Sequence, residues 1–308
     1  MTKKLSIIIP VYYNAQSLPK LYARISEIEL QLSKILIELE LIFVDDGSGD
    51  SSFKELIRIR ELRSKTRLIK FSRNFGAVHA SKYGMQFVTG DCFMILAADL
   101  QDPPELILEM ANKWLNGSKF TICVRTTRED PFMSKLFASI FYWLLRKLVI
   151  PDYPKRGFDM ALMDASLLPY LRDSSKNLYT PLLAYWLGFK PEIISYHRQK
   201  REYGKSRWTF SKKFNAFLDI MLGFSVKPIR LISLTGLVIA LLSFVYGALI
   251  TISAILGKIS VPGFATIAAL VTFLLGLIII MLGVIGEYLW RIFDEINKRP
   301  EVVADEIY

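Results

Sequence analysis

Cysteine and histidine are scarce in this chain of 308 residues, which contains two of each. Cys92 and Cys123 both lie inside apolar runs and no Cys-x-x-Cys pair occurs, so the sequence excludes a disulfide framework and fits a reducing compartment. His79 and His197 stand far apart in the sequence and indicate no histidine metal site. We expect a structural role for His79.

Acidic residues are outnumbered by basic ones, 29 to 39, which leaves a net charge of +10. Such a charge favours an anionic partner. Nucleic acid is one candidate, but charge is nearly absent from residues 231–286, where Lys258 stands alone. That long apolar region makes acidic lipid headgroups and phosphorylated substrates the better candidates, and we expect no nucleic-acid partner.

Two apolar runs near the C-terminus, about 229–256 and 264–288, are each long enough to cross roughly 30 Å of hydrocarbon as a helix. Gly and Pro residues between them suit a tight turn, so a transmembrane helical hairpin is predicted. Basic residues flank it on the side of both chain ends: Lys227, Arg230, Arg291, Lys298 and Arg299. The positive-inside rule therefore places both termini in the cytoplasm. The alternative is a pair of buried helices in a soluble core.

Two further stretches, about 133–150 and 208–224, combine aromatic and basic residues in the way that interfacial amphipathic helices do. Ordinary core-facing helices are the alternative for both. These assignments divide the chain into a cytoplasmic front domain at 1–225, a membrane hairpin at 226–290 and a cytoplasmic tail at 291–308.

Short apolar runs alternate with helical patterns in the front domain. The predicted strands are Leu5–Val11, Glu40–Val44, Arg67–Phe71, Cys92–Ala97 and Phe120–Val124, and the helices lie near Leu18–Ile37, Ser52–Leu62, Ala77–Val88 and Pro104–Leu115. Near-continuous apolar character indicates strands buried on both faces, as in a parallel sheet. The alternation predicts an α/β fold, a doubly wound Rossmann-like sheet with ligands at the carboxyl ends of its strands.

Acidic residues end the second predicted strand. Asp45 and Asp46 stand there, followed by a Gly/Ser turn and the start of a helix. This pattern suits the edge of a uracil or guanine base and a ribose. The alternative is an acidic turn in which Ser51 or Ser52 caps the next helix.

Polar residues also follow the third and fourth strands. Arg73 and Asn74 suit contact with a diphosphate or a role in fixing the loop. Asp99 and Gln101 are two positions apart, which on an extended chain places their oxygen atoms on one face. Oxygen ligands of this kind suit Mg²⁺ or Mn²⁺ carrying substrate phosphates. Asp102 precedes two prolines, and a helix cap is its alternative role.

Four motifs in order carry a resemblance to a known family. They are Ile9-Pro10-Val11-Tyr12 with Asn14, Val44-Asp45-Asp46-Gly47-Ser48, Ser72-Arg73-Asn74-Phe75-Gly76 and Ala98-Asp99-Leu100-Gln101-Asp102-Pro103-Pro104-Glu105. Together they resemble the GT-A glycosyltransferases of family 2. More narrowly they resemble the polyprenyl-phosphate glycosyltransferases, which include bactoprenol glucosyltransferases and dolichol-phosphate mannose synthases. The resemblance covers essentially the whole chain, because the bactoprenol branch also ends in a two-helix hairpin.

The resemblance implies a reaction in which a sugar moves, with inversion, from a nucleotide diphosphate to polyprenyl (undecaprenyl) phosphate. It implies an enzyme of the inner (plasma) membrane, multi-pass, that works at the cytoplasmic face for cell-surface glycan modification. UDP-glucose is the expected donor. N-acetylglucosamine, galactose, mannose and aminoarabinose remain alternative sugars. The resemblance also makes a divalent metal, Mg²⁺ or Mn²⁺, the expected cofactor and a homo-oligomer an expected assembly.

The resemblance also assigns roles to residues. The nucleotide-sugar site would comprise Pro10, Tyr12, Asn14, Asp45, Asp46, Arg73, Asn74 and Ala98. Asp99 and Gln101 would bind the metal, and Asp159 and Asp99 would be catalytic. The phosphate and acceptor site would comprise Arg125, Arg128, Arg198, Arg201, Lys205 and Ser206. For Arg125 and Arg128, solvated loop charge is the alternative.

Two departures from the family pattern affect these roles. Ala97 stands where an Asp-x-Asp motif has its first Asp, so one potential metal ligand is missing, which water or Asp102 would replace. Ala161 stands where relatives often carry Arg. The missing Asp raises the alternative of a catalytically silent membrane scaffold. A processive polysaccharide synthase is disfavoured, because Gly204 occupies the place of the Gln in its Gln-x-x-Arg-Trp motif.

Overall fold

A computed structural model of the chain describes residues 2–126, 132–176, 178–198, 210–256, 263–297 and 299–308. The chain forms two compact units. The first comprises Met1–Ile220 together with Pro300–Tyr308, and the second comprises Met221–Arg299.

The first unit is built on a sheet of eight strands. The strands are β1 (Lys3–Val11), β2 (Ile37–Asp45), β3 (Arg67–Phe71), β4 (Cys92–Ile95), β5 (Phe120–Arg125), β6 (Met160–Asp164), β7 (Glu192–Tyr196) and β8 (Ala304–Ile307). The helices of this unit are α1 (Leu18–Lys34), α2 (Ser52–Leu62), α3 (Ala77–Met85), α4 (Leu106–Leu115), α5 (Phe132–Leu148), α6 (Leu168–Arg172) and α7 (Thr180–Trp186). α8 (Phe210–Phe224) leads into the second unit, which contains α9 (Lys227–Ile255) and α10 (Phe264–Ile296).

The strand order is β7-β5-β6-β4-β1-β2-β3-β8. β1 pairs in parallel with β2 and β4, and β2 pairs in parallel with β3, as the apolar runs predict. β6 is antiparallel to both β4 and β5, and β8 is antiparallel to β3. The sheet is therefore mixed. The expected α/β sheet is confirmed, with two reversed strands that the sequence pattern did not indicate.

The centre of the sheet is buried on both faces. Ile7, Ile8 and Ile9 are consecutive on β1 and all fully buried, which gives the uninterrupted apolar run seen in the sequence. α1 covers one face through residues spaced three or four apart, namely Leu18, Leu21, Ile25, Ile28 and Leu32. Each such aliphatic side chain contributes about 1.5–3 kcal/mol on burial. This core fixes the strand ends from which the polar loops emerge.

A glycine lets α3 lie close against the central strands. A Cβ built on Gly84 would stand 2.6 Å from Ile8 Cγ2 and 3.2 Å from Val44 Cγ2. Any larger residue would therefore push α3 away from β1 and β2. Because α3 begins directly after the loop that follows β3, this close packing also positions that loop.

The last residues of the chain return to the first unit. Residues 291–308 were predicted to form a cytoplasmic tail outside the front domain, but β8 adds a strand to the sheet edge beside β3. Ile69 pairs with Ile307 and Lys70 with Glu306. Backbone hydrogen bonds between Leu68 and Tyr308 close the pair, with N···O distances of 2.8 and 3.1 Å.

The second unit consists mainly of the two long apolar helices that the sequence predicts. The segments Lys227–Tyr246, 20 residues, and Phe273–Ile296, 24 residues, are long and apolar enough to cross a membrane. Adjacent residues such as Leu241 and Leu242 are both exposed, so the apolar surface of α9 is not confined to one face. Of the predicted turn at 257–263, residues 257–262 lie outside the described residues.

Within the second unit, α9 and α10 approach each other at a glycine. A Cβ on Gly236 would stand 2.8 Å from Met281 Cε, so the methionine fills the space that the glycine leaves. Near the start of α9, the Tyr288 hydroxyl donates to the Ser225 carbonyl at 3.2 Å. These contacts join the helices as a hairpin.

The helix expected at a membrane interface near 133–150 is present as α5. It has two kinds of surface among the residues whose side chains are described. Leu145 is buried, whereas Ile140 and Trp143 are 46% and 52% exposed. α5 is therefore amphipathic, with a core-facing side and an exposed apolar side. The second expected helix is present as α8, and its expected first residues, 208 and 209, lie outside the described residues.

Candidate active site

The loops that follow β1, β2 and β4 are joined by hydrogen bonds at the carboxyl edge of the sheet. The backbone N–H groups of Tyr13 and Asn14 donate to the hydroxyls of Ser48 and Ser52, at 3.0 and 2.8 Å. These bonds tie the loop after β1 to the loop after β2. Ser17 Oγ donates to the Ala98 carbonyl at 2.7 Å and ties the same region to the loop after β4. The resemblance motifs therefore lie together in space.

Asp46 fastens the loop after β3. Its carboxylate accepts from Phe75 N at 2.7 Å, Gly76 N at 2.9 Å and Asn74 Nδ2 at 2.9 Å. Gly76 has φ = 107°, a conformation that favours glycine. Burial raises the pKa of Asp46, while the hydrogen bonds from Phe75 and Gly76 oppose that rise. Asp46 and Asn74, predicted as nucleotide contacts, are thus bonded to each other and hold the loop after β3 in place.

The Asp-Asp-Gly-Ser turn packs closely against the same loop. Gly47 has φ = 67°, and a Cβ there would stand 2.5 Å from the carbonyl carbon of Arg73. Only glycine allows the two backbones to come this close. The Arg73 guanidinium lies over the Phe75 ring at 4.0 Å from its centroid, and the residue is exposed. Arg73 is therefore held at the rim of the loop, where its charge faces solvent.

Asp45 ends β2 and is fully buried. Its Oδ2 accepts from Ser48 N at 3.3 Å, whereas its Oδ1 has no hydrogen-bond partner among the described residues. Burial raises the pKa of this carboxyl group. A buried acceptor without a donor is costly, so it marks a place where a ligand N–H gains more than an ordinary hydrogen bond.

The loop after β1 adds two tyrosines. Tyr12 N donates to Asn14 Oδ1 at 2.9 Å, which closes a local turn. The rings of Tyr12 and Tyr13 meet edge to face with centroids 4.7 Å apart. Tyr13 has φ = 55° and is 42% exposed, and its hydroxyl lies 2.7 Å from the Cβ position of Gly49. Pro10, also predicted here, is only partly buried near the end of β1.

Asp99 and Gln101 lie on a turn rather than on the extended chain that we expected. Gln101 N donates to Asp99 Oδ1 at 3.2 Å, and Leu100 between them has φ = 60°. Leu100 is buried, so its apolar side chain holds the turn against the core. The expectation of two side chains on one face of a strand was wrong, because this side-chain-to-backbone bond bends the chain. Ala98, predicted as a nucleotide contact, is buried with its carbonyl bonded to Ser17.

A second cluster lies where β5 and β7 end. Arg125 at the end of β5 forms a two-pronged ion pair with Asp159, which precedes β6. The Tyr196 hydroxyl, at the end of β7, lies 2.8 Å from Asp159 Oδ2 and 2.7 Å from Asp102 Oδ1. Arg198 Nε is 3.2 Å from Asp102 Oδ1, and Arg198 Nη1 is 3.9 Å from Asp159 Oδ1. Two carboxylates and two guanidiniums therefore surround one hydroxyl.

The cluster is largely shielded from water. The side chains of Asp102 and Asp159 are 5% and 11% exposed. Burial raises the pKa of Asp102, and the charge of Arg198 opposes that rise. Burial and the two neighbouring carboxylates raise the pKa of Tyr196, so its hydroxyl keeps its proton. Since one hydroxyl carries one proton, Tyr196 donates to one carboxylate at a time and holds the pair together.

This geometry corrects two interpretations of the sequence. Asp102 is not a helix cap, because α4 begins at Leu106 and the Asp102 carboxylate turns instead to Tyr196 and Arg198. Arg125 is not a solvated loop charge, since its side chain is 16% exposed and paired with Asp159.

The position of Tyr196 was missed. The only local signal was its place at the end of a short apolar run, two residues before Arg198. Four residues predicted at the phosphate site lie outside the described residues: Arg128, Arg201, Lys205 and Ser206.

The loop after β4 carries two aspartates, Asp99 and Asp102, as candidate metal ligands. Among the described residues, no group of three or more His, Cys, Asp or Glu side chains is arranged to hold a metal. Asp102, the suggested replacement for the missing first Asp, is engaged with Tyr196 and Arg198. Asp99 and Gln101 are therefore the oxygen ligands that this loop offers.

Comparisons with known proteins show which proteins the chain is similar to. The sequence model of the family described as "Glycosyl transferase family 2" matches residues 6–179. An uncharacterised glycosyltransferase of Synechocystis is 32% identical over 310 residues, covering 100% of this chain and 96% of the relative. A prophage bactoprenol glucosyl transferase homologue of Escherichia coli K12 is 29% identical over 306 residues, covering 99% of each. A glucosyl-3-phosphoglycerate synthase from Mycobacterium tuberculosis, solved with UDP, is 15% identical with a TM-score of 0.49, covering 71% of this chain and 79% of that one.

Proposed function

The chain belongs to glycosyltransferase family 2, and we propose that it transfers glucose from UDP-glucose to polyprenyl phosphate with inversion at the anomeric carbon. The proposal rests on one observation. The loops after β1–β4 and the Asp159 cluster with its two arginines lie at the same edge of one sheet, joined through the short segment from Ala98 to Asp102. A nucleotide-sugar donor and an anionic acceptor are the two substrates that these neighbouring sites suit.

The donor's base is assigned to the pocket beside Asp45. The buried Oδ1 of Asp45 lacks a donor among the described residues, and the N3–H of uracil supplies one. Tyr13 offers an exposed ring next to this loop, on which a base can stack. A guanine base carries equivalent N–H groups, so the choice of UDP follows the sequence-based expectation of UDP-glucose. The bactoprenol glucosyl transferase names of the relatives support the glucosyl group alone.

The diphosphate is assigned to Arg73, Asp99 and Gln101. Asp99 and Gln101 fit a Mg²⁺ or Mn²⁺ site in which the donor's own phosphates complete the coordination, an arrangement typical of Mg²⁺. The bound ion would neutralise charge on the departing diphosphate. Arg73 adds a second positive charge at the rim, where it binds the same phosphates.

The acceptor is assigned to the Arg125–Arg198 cluster. The Arg125 guanidinium uses two of its five N–H groups on Asp159 and keeps the others for a phosphate. The carboxylate of Asp159 fixes the guanidinium plane and balances its charge before the lipid arrives. Asp159 therefore acts as a positioning residue for the two arginines rather than as a general base.

The chemistry needs little proton transfer. A phosphate oxygen of the acceptor, already anionic at neutral pH, attacks the anomeric carbon from the face opposite the diphosphate. The new bond joins that oxygen to the carbon, the bond from the carbon to the diphosphate oxygen breaks, and its electron pair leaves with UDP. Holding the two anions in line and neutralising their charge accounts for most of the rate.

The lipid nature of the acceptor is supported by the second unit. Its two helices are long and apolar enough to span a membrane, and their exposed apolar side chains suit hydrocarbon. Basic residues at the outer ends of the hairpin support cytoplasmic termini. The exposed Ile140 and Trp143 of α5 support contact with the bilayer interface. The homo-oligomer stays a prediction.

The test is reconstitution with defined substrates. The purified full-length chain is placed in vesicles containing polyprenyl phosphate and supplied with Mg²⁺ or Mn²⁺. UDP-glucose, UDP-N-acetylglucosamine, UDP-galactose, a UDP-aminoarabinose and GDP-mannose are offered in turn, and lipids are analysed by mass spectrometry. We expect hexosyl polyprenyl phosphate with UDP-glucose. Product with another donor alone would move the assignment to that sugar, and no glycolipid with any donor or metal would defeat the enzyme proposal.

A further inference from the structure

We propose that the C-terminal segment Pro300–Tyr308 is a positioning element of the donor site, and that Glu301 is its central residue. The inference rests on the proposed function, since it assigns this segment to the binding of the nucleotide sugar. The segment follows the second apolar helix in the sequence, yet it belongs to the first unit. Three sets of contacts connect it with the loop after β3.

The first set is backbone pairing. β8 lies antiparallel to β3 and extends the sheet on that side. Beyond the end of β3, Ser72 N donates to the Val303 carbonyl at 3.1 Å. Ser72 opens the Ser72-Arg73-Asn74-Phe75-Gly76 loop, so the C-terminal segment holds the first residue of a loop assigned to the donor diphosphate.

The second set is an ionic cluster centred on Glu301. Its Oε1 accepts from His79 Nδ1 at 2.9 Å and its Oε2 from Lys82 Nζ at 3.1 Å. Both partners lie on α3. Burial alone would raise the pKa of Glu301, but the bonds from His79 and Lys82 outweigh burial and hold that pKa below its usual range. Glu301 is therefore an ionised, well-bonded residue and not a loose surface charge.

Lys82 extends the cluster to a third segment. Its ammonium also donates to the carbonyls of Ser174 and Ser175, at 2.5 and 3.3 Å, and its side chain is only 8% exposed. A buried ammonium needs a counter-charge, and Glu301 supplies it. Removing the charge of Glu301 leaves Lys82 paired with neutral carbonyls alone, so the position of α3 is weakened.

The third set of contacts connects the position of α3 with the loops assigned to the donor. α3 begins at Ala77, directly after Gly76, and Ala80 N donates to the Gly76 carbonyl at 3.0 Å. Gly76 N in turn donates to Asp46, beside the unpaired Asp45. A shift of the first turn of α3 therefore moves the loop at Asn74–Gly76 and the Asp45–Asp46 pair. Glu301 touches neither substrate and acts through this chain of contacts.

The test compares Glu301→Gln with Glu306→Gln in the full-length reconstituted protein. Glu306 lies on β8, in the same C-terminal segment as Glu301, and bonds to Lys70, but it makes no described contact with α3. We expect Glu301→Gln to raise KM for the nucleotide sugar and the Kd for UDP with Mg²⁺ by roughly tenfold, as for a lost charged hydrogen bond. KM for polyprenyl phosphate should change by less than about twofold, and Glu306→Gln should match the wild type in all three.

Each outcome decides the inference separately from the proposed function. Unchanged donor KM and UDP affinity in Glu301→Gln would overturn it, and so would an equal loss for both substrates, which indicates general instability. Partial rescue of UDP affinity by Glu301→Asp would support it. If Glu301→Gln does not fold, His79→Gln replaces it with the same expectation. Absence of product from the wild type would instead defeat the proposed reaction, while the UDP titration still tests Glu301.

Discussion

The donor side and the acceptor side of this sheet edge are built in different ways. On the donor side, neighbouring loops are tied by backbone N–H groups to short polar side chains, as with Ser48, Ser52 and Asp46. On the acceptor side, long charged side chains from distant parts of the sequence meet around Tyr196. The first arrangement leaves its motifs readable in the sequence, whereas the second becomes visible only in three dimensions.

The two sides also differ in electrostatic balance. The donor side holds a buried carboxylate oxygen, Oδ1 of Asp45, without a hydrogen-bond partner among the described residues. The acceptor side pairs Asp102 and Asp159 with Arg198 and Arg125. In the proposed function, the donor side would therefore gain a missing hydrogen-bond partner from its ligand, whereas the acceptor cluster would share N–H donors that are already held in place.

The largest expected effect is on the donor side, at Asp99. Asp99→Ala removes the carboxylate assigned to the metal, and we expect kcat to fall by roughly a thousandfold or more because charge on the leaving diphosphate is no longer neutralised. The measurement is transfer to polyprenyl phosphate, with thermal unfolding as a check on the fold. Full activity in this variant would contradict the assignment of Asp99 as a metal ligand. Asp152→Ala, at an exposed carboxylate, is the matched control and should behave as wild type.

On the acceptor side, Asp159→Asn should lower kcat/KM for the lipid by roughly a hundredfold. The change keeps the side-chain shape but removes the charge that holds Arg125 and Arg198. Affinity for UDP should stay within about twofold of wild type, since the donor loops are untouched. Steady-state kinetics with each substrate varied in turn measures both. Equal losses of kcat/KM for the nucleotide sugar and for the lipid would contradict the separation of a donor side from an acceptor side.

A smaller effect is expected when the hydroxyl of the cluster is removed. Tyr196→Phe leaves Asp102 and Asp159 without the donor between them, and we expect roughly a tenfold loss in kcat/KM for the lipid. The pH profile of lipid transfer should also shift, because the hydrogen bond from Tyr196 lowers the pKa of Asp102 and its loss lets that pKa rise further. A variant with wild-type kinetics and an unchanged profile would show that Tyr196 is only a packing residue.

The smallest effect concerns stability and pH. Burial raises the pKa of Asp45 above 3.8, so the folded state holds this proton more tightly than the unfolded state. The resulting stabilisation is present below pH 3.8 and is lost as the pH rises through the raised pKa. The Asp45→Asn variant has no such proton. Its Tm should therefore fall less than that of the wild type over the same increase in pH. Parallel curves of Tm against pH for the two proteins would contradict the raised pKa of Asp45.

Sequence reasoning succeeded where local pattern determines structure. The apolar runs of β1–β4 are buried on both faces, so their parallel arrangement was readable, and the motifs at their ends identified the family that the comparison confirms. The glycosyltransferase assignment is likewise confirmed. The two long apolar helices were equally clear, because α9 and α10 depend on composition and length alone.

The missed features all depend on long-range pairing. β8 has only four residues, Ala-Asp-Glu-Ile, and the bond between Lys70 and Glu306 joins positions 236 residues apart. β6 was not among the predicted strands, and it is the reversed strand between β4 and β5. No local pattern in the sequence predicts these strand pairings. The turn at Asp99 was missed for a different reason, since a left-handed residue such as Leu100 carries no sequence signal.

The central claim is that a phosphate oxygen of the lipid attacks the anomeric carbon and displaces the whole nucleoside diphosphate. Phosphorus and proton NMR of the purified lipid product test this claim most directly. We expect one phosphodiester phosphorus and a β-linked sugar from the α-linked donor. A diphosphate in the product, which indicates transfer of a sugar phosphate, or an α-linked sugar, which indicates retention, would contradict the account.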